Sequence, residues 1–324
     1  MISVLNSKLV FLIACLFLRV ILDISYIVFV SEVFFYQGYY LDVSADRYLL
    51  SWLVYAGCVL VTRHMLRVIS DYFLVTFLIA LIAPMSSMAG LSDYQLYPFF
   101  ITILVFVFFK LFQYGGLLSR LAPPPKIPNF RRGRALSLLI ALSAVVFLIV
   151  WYFVSGAVVH FNLDFSKVYD YREQSSEIAN IGVLAYINNW VYSVFTIFLM
   201  SWALYKRNFF LFSVLLLVQI FFYGVSNHKS VFFTPIMVFG VWYYFRRFKS
   251  LVILPIGFFI VVGFSLAVYL YIGENLISSM FIRRVFYVPV LLTFQYFEFF
   301  ASNPNVYWSN SIFSSFVSYP YGDS

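Results

Sequence analysis

The chain has 324 residues, of which 63% are hydrophobic and only 10% are charged, and its mean hydropathy is +0.93. Soluble domains do not have this composition, and continuous apolar runs in place of short alternating strands exclude a transmembrane barrel. The formal net charge of +8 would suit a nucleic acid or an anionic membrane surface, so the positions of the cations decide its meaning. We predict an all-α, polytopic membrane helical bundle.

Apolar runs of membrane-spanning length recur along nearly the whole chain. A bilayer core of roughly 30 Å needs about 20 apolar residues per helix. The charged or turn-rich breaks between runs predict nine transmembrane helices, at about 9–30, 48–64, 72–90, 97–113, 135–157, 187–205, 209–225, 231–245 and 251–272. A further run at 288–300 is short and contains Pro289 and Glu298, so we expect an interfacial or re-entrant helix there.

The first run contains Arg19 and Asp23 and has no small-residue cleavage site, which indicates a retained helix and not a signal peptide. Their spacing of four residues places both charges on one helix face near mid-depth. We expect a mutual ion pair that faces the bundle, with a proton or substrate path as the alternative. Cys15 and Cys58 also lie in predicted helices, without metal-ligand spacing, and are interpreted as packing residues.

The distribution of charge predicts the sidedness of the chain. With a cytoplasmic N-terminus, most of the 21 Lys and Arg residues fall inside and nearly all acids fall outside, as the positive-inside rule requires. The charge is therefore a topology signal, and we expect no nucleic-acid partner. The cytoplasmic loop 114–134 has a triple proline and several cations, which predicts an extended linker that contacts anionic lipid headgroups, with an interaction surface as the alternative.

Two exterior segments are long enough to build a site. The first loop covers 158–186, and the second begins near residue 273. We therefore divide the chain into a helical bundle over 1–272 and the start of the second loop over 273–324, and we expect a fragment of a longer protein. No internal repeat or matched pair of broken helices is visible in the sequence, which disfavours an inverted-repeat transporter.

The exterior cations lie in three groups near tyrosines or phenylalanines: Lys167 with Arg172, His228 with Lys229, and Arg283 with Arg284. Guanidinium groups bind phosphate oxygens in pairs and aromatic rings stack on sugars, so a shared cavity would suit a phosphate-bearing, partly lipidic ligand. Anchoring of helix ends to lipid phosphates is the alternative. The exterior acids show no metal-ligand spacing, and we predict neither a metal nor another cofactor.

Three segments carry a family resemblance: KVYDYREQ at 167–174, YGVSNHKSVFFTPI at 223–236, and IRRVFYVPVLLTFQYFEFFASNPNVYWSNS at 282–311. In their order and sidedness, together with the helix pattern of the whole chain, they resemble the bacterial oligosaccharide repeat unit polymerases, the Wzy-type O-antigen or capsule polymerases. The resemblance implies a fold like that of type C glycosyltransferases in the cytoplasmic (inner) membrane. The family continues past the second loop into further helices, where this sequence stops.

The resemblance also implies a reaction between two undecaprenyl-pyrophosphate-linked oligosaccharides at the outer face of that membrane. The growing chain is transferred onto a fresh repeat unit and undecaprenyl pyrophosphate is released, without a nucleotide-sugar donor. The partners implied are these glycolipids and membrane lipids, while a polysaccharide chain-length regulator stays open. Arg172, Lys229, and Arg283 or Arg284 are carried over by the resemblance.

The charge that develops on the departing pyrophosphate calls for fixed cations. We assign Arg172 and one of the pair Arg283 and Arg284 to that pyrophosphate, and Lys229 to the second one. The alternatives are a loop ion pair for Arg172 and headgroup anchoring for the other arginine.

Other candidate residues concern proton transfer and the sugar. His228 is a candidate general base for the acceptor hydroxyl because imidazole titrates near working pH, and a local hydrogen bond at a helix end is the alternative. Tyr169, Tyr171, Tyr287 and Tyr296 are candidates to line a sugar groove, whereas most aromatic residues would pack in the membrane.

Two other functions stay open from the residues. A flippase for the same lipid-linked glycan should have two similar halves and charges in many spans, whereas only the first helix has a charge pair at mid-depth. The long one-sided loops favour an enzyme. An O-antigen ligase would share the fold and the arginines.

Overall fold

The computed structural model describes residues 7–113, 132–164, 183–309, 311 and 316–322. Ten long helices account for most of this part of the chain, and they are numbered here in chain order. They are α1 Lys8–Val33, α2 Ala45–Val61, α3 Ile69–Leu91, α4 Tyr97–Gln113, α5 Gly133–Val154, α6 Val183–Tyr205, α7 Phe209–Ser226, α8 Lys229–Arg247, α9 Ile253–Ile272 and α10 Leu276–Ser302.

Seven helices of the described residues are long and apolar enough to cross a membrane, namely α1, α3, α5, α6, α7, α9 and α10. The shorter helix α4 is also apolar. These lengths confirm the predicted all-α class and support a multi-pass membrane protein. The number of nine spans, the resemblance to type C glycosyltransferases and the placement of the N-terminus stay predictions.

The chain forms two compact units. Unit 1 comprises Met1–Pro124 with Lys249–Ser324, and unit 2 comprises Pro125–Phe248. This division differs from the predicted boundary at residue 272, because α10 packs within unit 1 against α3 and α9. The segment expected to begin an exterior loop is therefore largely a packed helix.

Unit 1 is built around α1 and α3. In the most apolar 18-residue stretch of α3, 78% of the residues are buried, whereas 56% are buried in the corresponding stretch of α1. Small residues explain the close packing, since a Cβ atom at Gly90 would lie only 2.5 Å from Ser51 Oγ of α2. Such close approach lets polar side chains of three helices reach one another inside the bundle.

The helix α10 reaches into unit 1 and returns to the same end. A π-helical stretch over Ser279–Tyr287 precedes Pro289, a combination that bends helices. The Tyr287 hydroxyl donates to the Leu22 carbonyl at 2.7 Å, deep in the bundle, whereas Arg283 and Glu298 both lie near the loop Phe34–Tyr40. These contacts favour the re-entrant interpretation, but the helix begins at Leu276 and is longer than the predicted 288–300.

Unit 2 packs α5, α6, α7 and α8 around buried aromatic side chains. Phe222 of α7 lies 6.1 Å from the ring of Tyr152 and 5.5 Å from that of Tyr192, measured between ring centroids. The two tyrosine hydroxyls are hydrogen-bonded to each other. The helix α7 ends at Asn227 in the left-handed conformation, with φ of 54°, which turns the chain directly into α8.

Candidate functional site

Two adjoining clefts lie in unit 1 where α10 meets the loop between α3 and α4. One has a volume of about 530 Å³ and is lined by residues that include Gln37, Tyr40, Asp93 and Gln295. The other has about 430 Å³ and is lined by residues that include Tyr97, Phe294, Tyr296 and Phe300. Tyr94, Gln95 and Glu298 line both clefts. The two clefts therefore share a wall, and together they are called the α10 groove.

Tyr94 fixes the middle of the α10 groove. Its hydroxyl donates to the Gly38 carbonyl at 2.8 Å, and its ring stacks on Phe294 with centroids 5.3 Å apart. Gly38 has φ of +100°, and a Cβ atom there would lie 2.9 Å from the Tyr94 hydroxyl, so glycine suits this position. Burial raises the pKa of Tyr94 to about 12, with nearby Tyr40, Glu298 and Asp93 acting in the same direction. Tyr94 is therefore a neutral donor at physiological pH.

The groove contains two solvent-exposed carboxyl groups, those of Asp93 and Glu298. Asp93 lies in the loop after α3 and Glu298 lies in α10, so the fold joins positions that are distant in sequence. Neither carboxyl group was predicted from the sequence to belong to a site. Glu298 is an acid within an apolar run, which is a signal visible in the sequence. The sequence around Asp93 has no such signal. Carboxylates beside amides and aromatic rings can accept a proton or hydroxyl hydrogen bonds from a ligand.

Arg283 does not line the groove but contacts Gln37, which does. Its guanidinium donates to Gln37 Oε1 at 2.5 Å and lies 4.1 Å above the centre of the Phe34 ring. Its charge opposes the effect of burial on Tyr39, which still raises the pKa of that phenol to about 12. Arg283 is half-buried, whereas Arg284 is exposed. The two arginines that were equivalent in sequence are therefore different in environment.

The other predicted residues fall in four places. Tyr296 is exposed and lines the α10 groove, where a sugar-binding residue was expected. Tyr169, Tyr171 and Arg172 lie outside the described residues. Tyr287 is fully buried and donates to the Leu22 carbonyl, so it does not line the groove as expected. His228 and Lys229 lie in unit 2, at the start of α8, with His228 half-buried and Lys229 exposed.

The turn that carries His228 is joined to the start of the segment 158–186, which was predicted to be an exterior loop. The Asn162 backbone N–H donates to the Gly224 carbonyl at 2.8 Å, and the Asn162 side chain donates to Asn227 Oδ1 at 3.4 Å. A Cβ atom at Gly224 would come within 2.2 Å of the Phe161 ring, so only glycine accommodates this contact without movement. The residues that precede the predicted motif at 167–174 therefore dock beside the motif at 223–236.

The Arg19 and Asp23 pair is confirmed as a buried ion pair. The guanidinium also donates to Ser86 Oγ at 2.9 Å and to the Ser86 carbonyl at 2.8 Å. Asp23 accepts hydrogen bonds from Ser87 Oγ at 2.6 Å and from the Tyr48 hydroxyl at 3.0 Å. This network supports the predicted structural role over a proton path, since partners from α2 and α3 surround the two charges.

Within the described residues, no group of three or more His, Cys, Asp and Glu is placed to hold a metal ion. The comparison of this chain with protein-family models, curated proteins and solved structures finds no match. Function is therefore argued from the chemistry of the α10 groove and from the sequence motifs.

Proposed function

We propose that this chain is a glycosyltransferase that polymerises undecaprenyl-pyrophosphate-linked oligosaccharide repeat units into O-antigen or capsular polysaccharide. It would act at the outer face of a bacterial inner membrane, with its N-terminus in the cytoplasm. The observation that carries the proposal is the α10 groove, because carboxyl, amide and aromatic groups line it beside apolar helices, with Arg283 at its edge.

The lining of the groove suits a sugar. Tyr94 and Tyr296 offer aromatic surfaces, and Gln95 and Gln295 offer both hydrogen-bond donors and acceptors. Ligand pockets for small molecules are typically about 300–1,000 Å³, and the two clefts of about 530 and 430 Å³ are within that range. The acceptor end of one glycan and the donor sugar of the other would each occupy one cleft.

Arg283 supports the chemistry of a pyrophosphate leaving group. When the anomeric carbon–oxygen bond breaks, negative charge grows on the pyrophosphate oxygen, and a guanidinium at the groove edge stabilises that charge. Gln37 holds the Arg283 side chain at this edge. Arg172 and Lys229 stay proposed as further pyrophosphate ligands, and the exposed Arg284 is assigned to lipid headgroups.

Glu298 is the stronger candidate for the general base. It would take the proton of the acceptor hydroxyl while that oxygen bonds to the anomeric carbon and the pyrophosphate leaves with its electron pair. Glu298 lines both clefts of the groove, whereas His228 lines neither. Asp93 would accept a hydrogen bond from a neighbouring sugar hydroxyl.

Deletion of the intact gene, followed by gel analysis of the surface polysaccharide, tests this function. Loss of a polymerase leaves a single repeat unit where the parent strain shows a ladder. If no repeat unit reaches the surface, a flippase or a ligase explains the result and the proposal fails. Complementation with the wild-type gene and with Glu298→Gln then separates loss of protein from loss of chemistry. Polymerisation that needs added metal after chelation would contradict the predicted metal-free site.

A further inference from the structure

The opposite end of α3 in unit 1 carries a second, chemically different groove. It has a volume of about 710 Å³ and is lined by apolar residues of α3 and α4 that include Phe73, Phe77, Leu81, Phe109 and Phe112. Ser70 and Gln113 supply polar groups at one end. We call it the α3–α4 groove. Since α3 has 23 residues, at about 1.5 Å per residue this groove begins about 30 Å from the α10 groove.

Basic residues lie in the chain segments near the polar end of this groove. Backbone hydrogen bonds join Leu66 N–H to the Lys249 carbonyl at 2.7 Å and Leu251 N–H to the His64 carbonyl at 2.8 Å, which brings two basic segments together. The buried Lys110 donates to Gln113 Oε1 at 2.6 Å. The basic residues at this end are Arg63, His64, Arg67, Lys110 and Lys249.

Asp71 is the one acid in the described segments 62–71, 110–113 and 249–251, and its oxygens are occupied. One oxygen accepts from the backbone N–H groups of Arg67 and Val68, at 2.8 and 2.9 Å. The other accepts from the Gln113 side chain and lies 3.8 Å from the Arg63 guanidinium. One carboxylate does not neutralise this many cations, so this end of unit 1 has an excess of positive charge beside an apolar groove.

We propose that the α3–α4 groove binds one anionic glycerophospholipid, with its phosphate at Arg63, which shares Asp71 with the groove residue Gln113, and an acyl chain along the groove. Charge complementarity selects this occupant, because a zwitterionic lipid brings no net negative charge to the cations. From Ser70 to Leu81 the groove extends about 16 Å at 1.5 Å per residue, which accommodates most of an acyl chain. The site is independent of the proposed transferase reaction.

Lipid binding to the purified, delipidated full chain tests this site. Phosphatidylglycerol and phosphatidylcholine with identical acyl chains are added, and bound lipid is counted by native mass spectrometry while the thermal midpoint is recorded. We expect phosphatidylglycerol to bind more tightly. Arg63→Gln should weaken that binding about fivefold, because a basic residue near anionic lipid contributes about 1 kcal/mol, whereas Arg63→Lys should retain most of it. Lys206→Gln in unit 2 is the matched charge control.

Filling the groove tests the acyl-chain part separately. Ala80→Trp places an indole among the groove phenylalanines and should reduce phosphatidylglycerol binding, while Leu139→Trp on an exposed site of α5 should leave it unchanged. Equal binding of the two lipids, or binding unchanged in both Arg63→Gln and Ala80→Trp, would overturn the proposal. Equal stabilisation by free glycerol phosphate would also overturn it, since the acyl chain would then have no role. If Ala80→Trp does not fold, the Arg63 variants decide the outcome.

Discussion

The buried network around Arg19 and the α10 groove lie in the same unit but use their polar groups differently. Arg19 and Asp23 pair with each other and with side chains of α2 and α3 inside the bundle. Asp93 and Glu298 instead face solvent from a loop and from α10. A charge inside the bundle is costly unless it is paired, whereas the exposed carboxylates of the groove keep their hydration and are accessible to a ligand. A charged side chain can therefore act on a ligand only where it is accessible, whereas a buried and paired charge stabilises the fold.

The largest effect on stability is expected from removing one member of the buried pair. Arg19→Ala leaves the Asp23 carboxylate without its cation, and breaking a buried pair in this way costs about 3–5 kcal/mol. Unfolding in detergent, followed by circular dichroism, measures the change. The double exchange Arg19→Asp with Asp23→Arg should recover part of the stability. A single variant as stable as the wild type would show that the network does not hold the bundle.

Glu298→Gln in the groove should reverse this pattern, with a small effect on stability and a large effect on turnover. Because Glu298 is exposed, its loss should change stability by less than about 0.5 kcal/mol. If Glu298 is the general base, turnover of lipid-linked repeat units should fall about 10²–10⁴-fold. Polymer formed by purified protein, resolved by chain length, measures this loss. His228→Ala serves as the control, and a larger loss there than in Glu298→Gln would return the role of base to unit 2.

The adjacent residues Arg283 and Arg284 allow a half-buried cation to be compared with an exposed one. Arg283→Gln removes the cation beside Gln37 and should lower turnover about 10²–10³-fold, the cost typical of losing one group that stabilises transition-state charge. Arg284→Gln changes an exposed cation and should leave turnover nearly unchanged. Equal losses in both variants, measured with the same lipid-linked substrate and matched protein amounts, would show that the charge acts through the membrane surface and not through the groove.

Local patterns explain what was predictable from the sequence. Arg19 and Asp23 pair because residues four apart share a helix face, and apolar length alone indicated most of the helices. The segment from Leu276 to Tyr287 was assigned to a loop because its arginines interrupt the apolar pattern, although it packs as a helix. Asp93 and Glu298 line one cleft because α10 packs beside the loop after α3, a tertiary feature without a local sequence pattern. Arg283 and Tyr296, which were candidates from the sequence, therefore lie at or beside the α10 groove, whereas its two carboxylates were not among the candidates.

Tyr287 connects the two regions, and its removal should cost less stability than Arg19→Ala and should change turnover little. It lies one helical turn after Arg283 on α10, and its hydroxyl donates to the Leu22 carbonyl beside Asp23 and lies 3.1 Å from Ser87 Oγ. Tyr287→Phe retains the ring packing and removes this hydrogen bond, which should lower the free energy of unfolding by about 1 kcal/mol. The unfolding assay used for Arg19→Ala measures this change.

The kinetic effect of Tyr287→Phe shows how firmly the network positions the groove. If α10 is held mainly by its apolar contacts, kcat and KM should stay close to the wild-type values. A fall in kcat comparable to that of Arg283→Gln, at little cost in stability, would show instead that the buried network sets the position of Arg283. The buried charges would then affect the reaction through α10. Charges that stabilise the fold could no longer be distinguished from charges that act on the substrate.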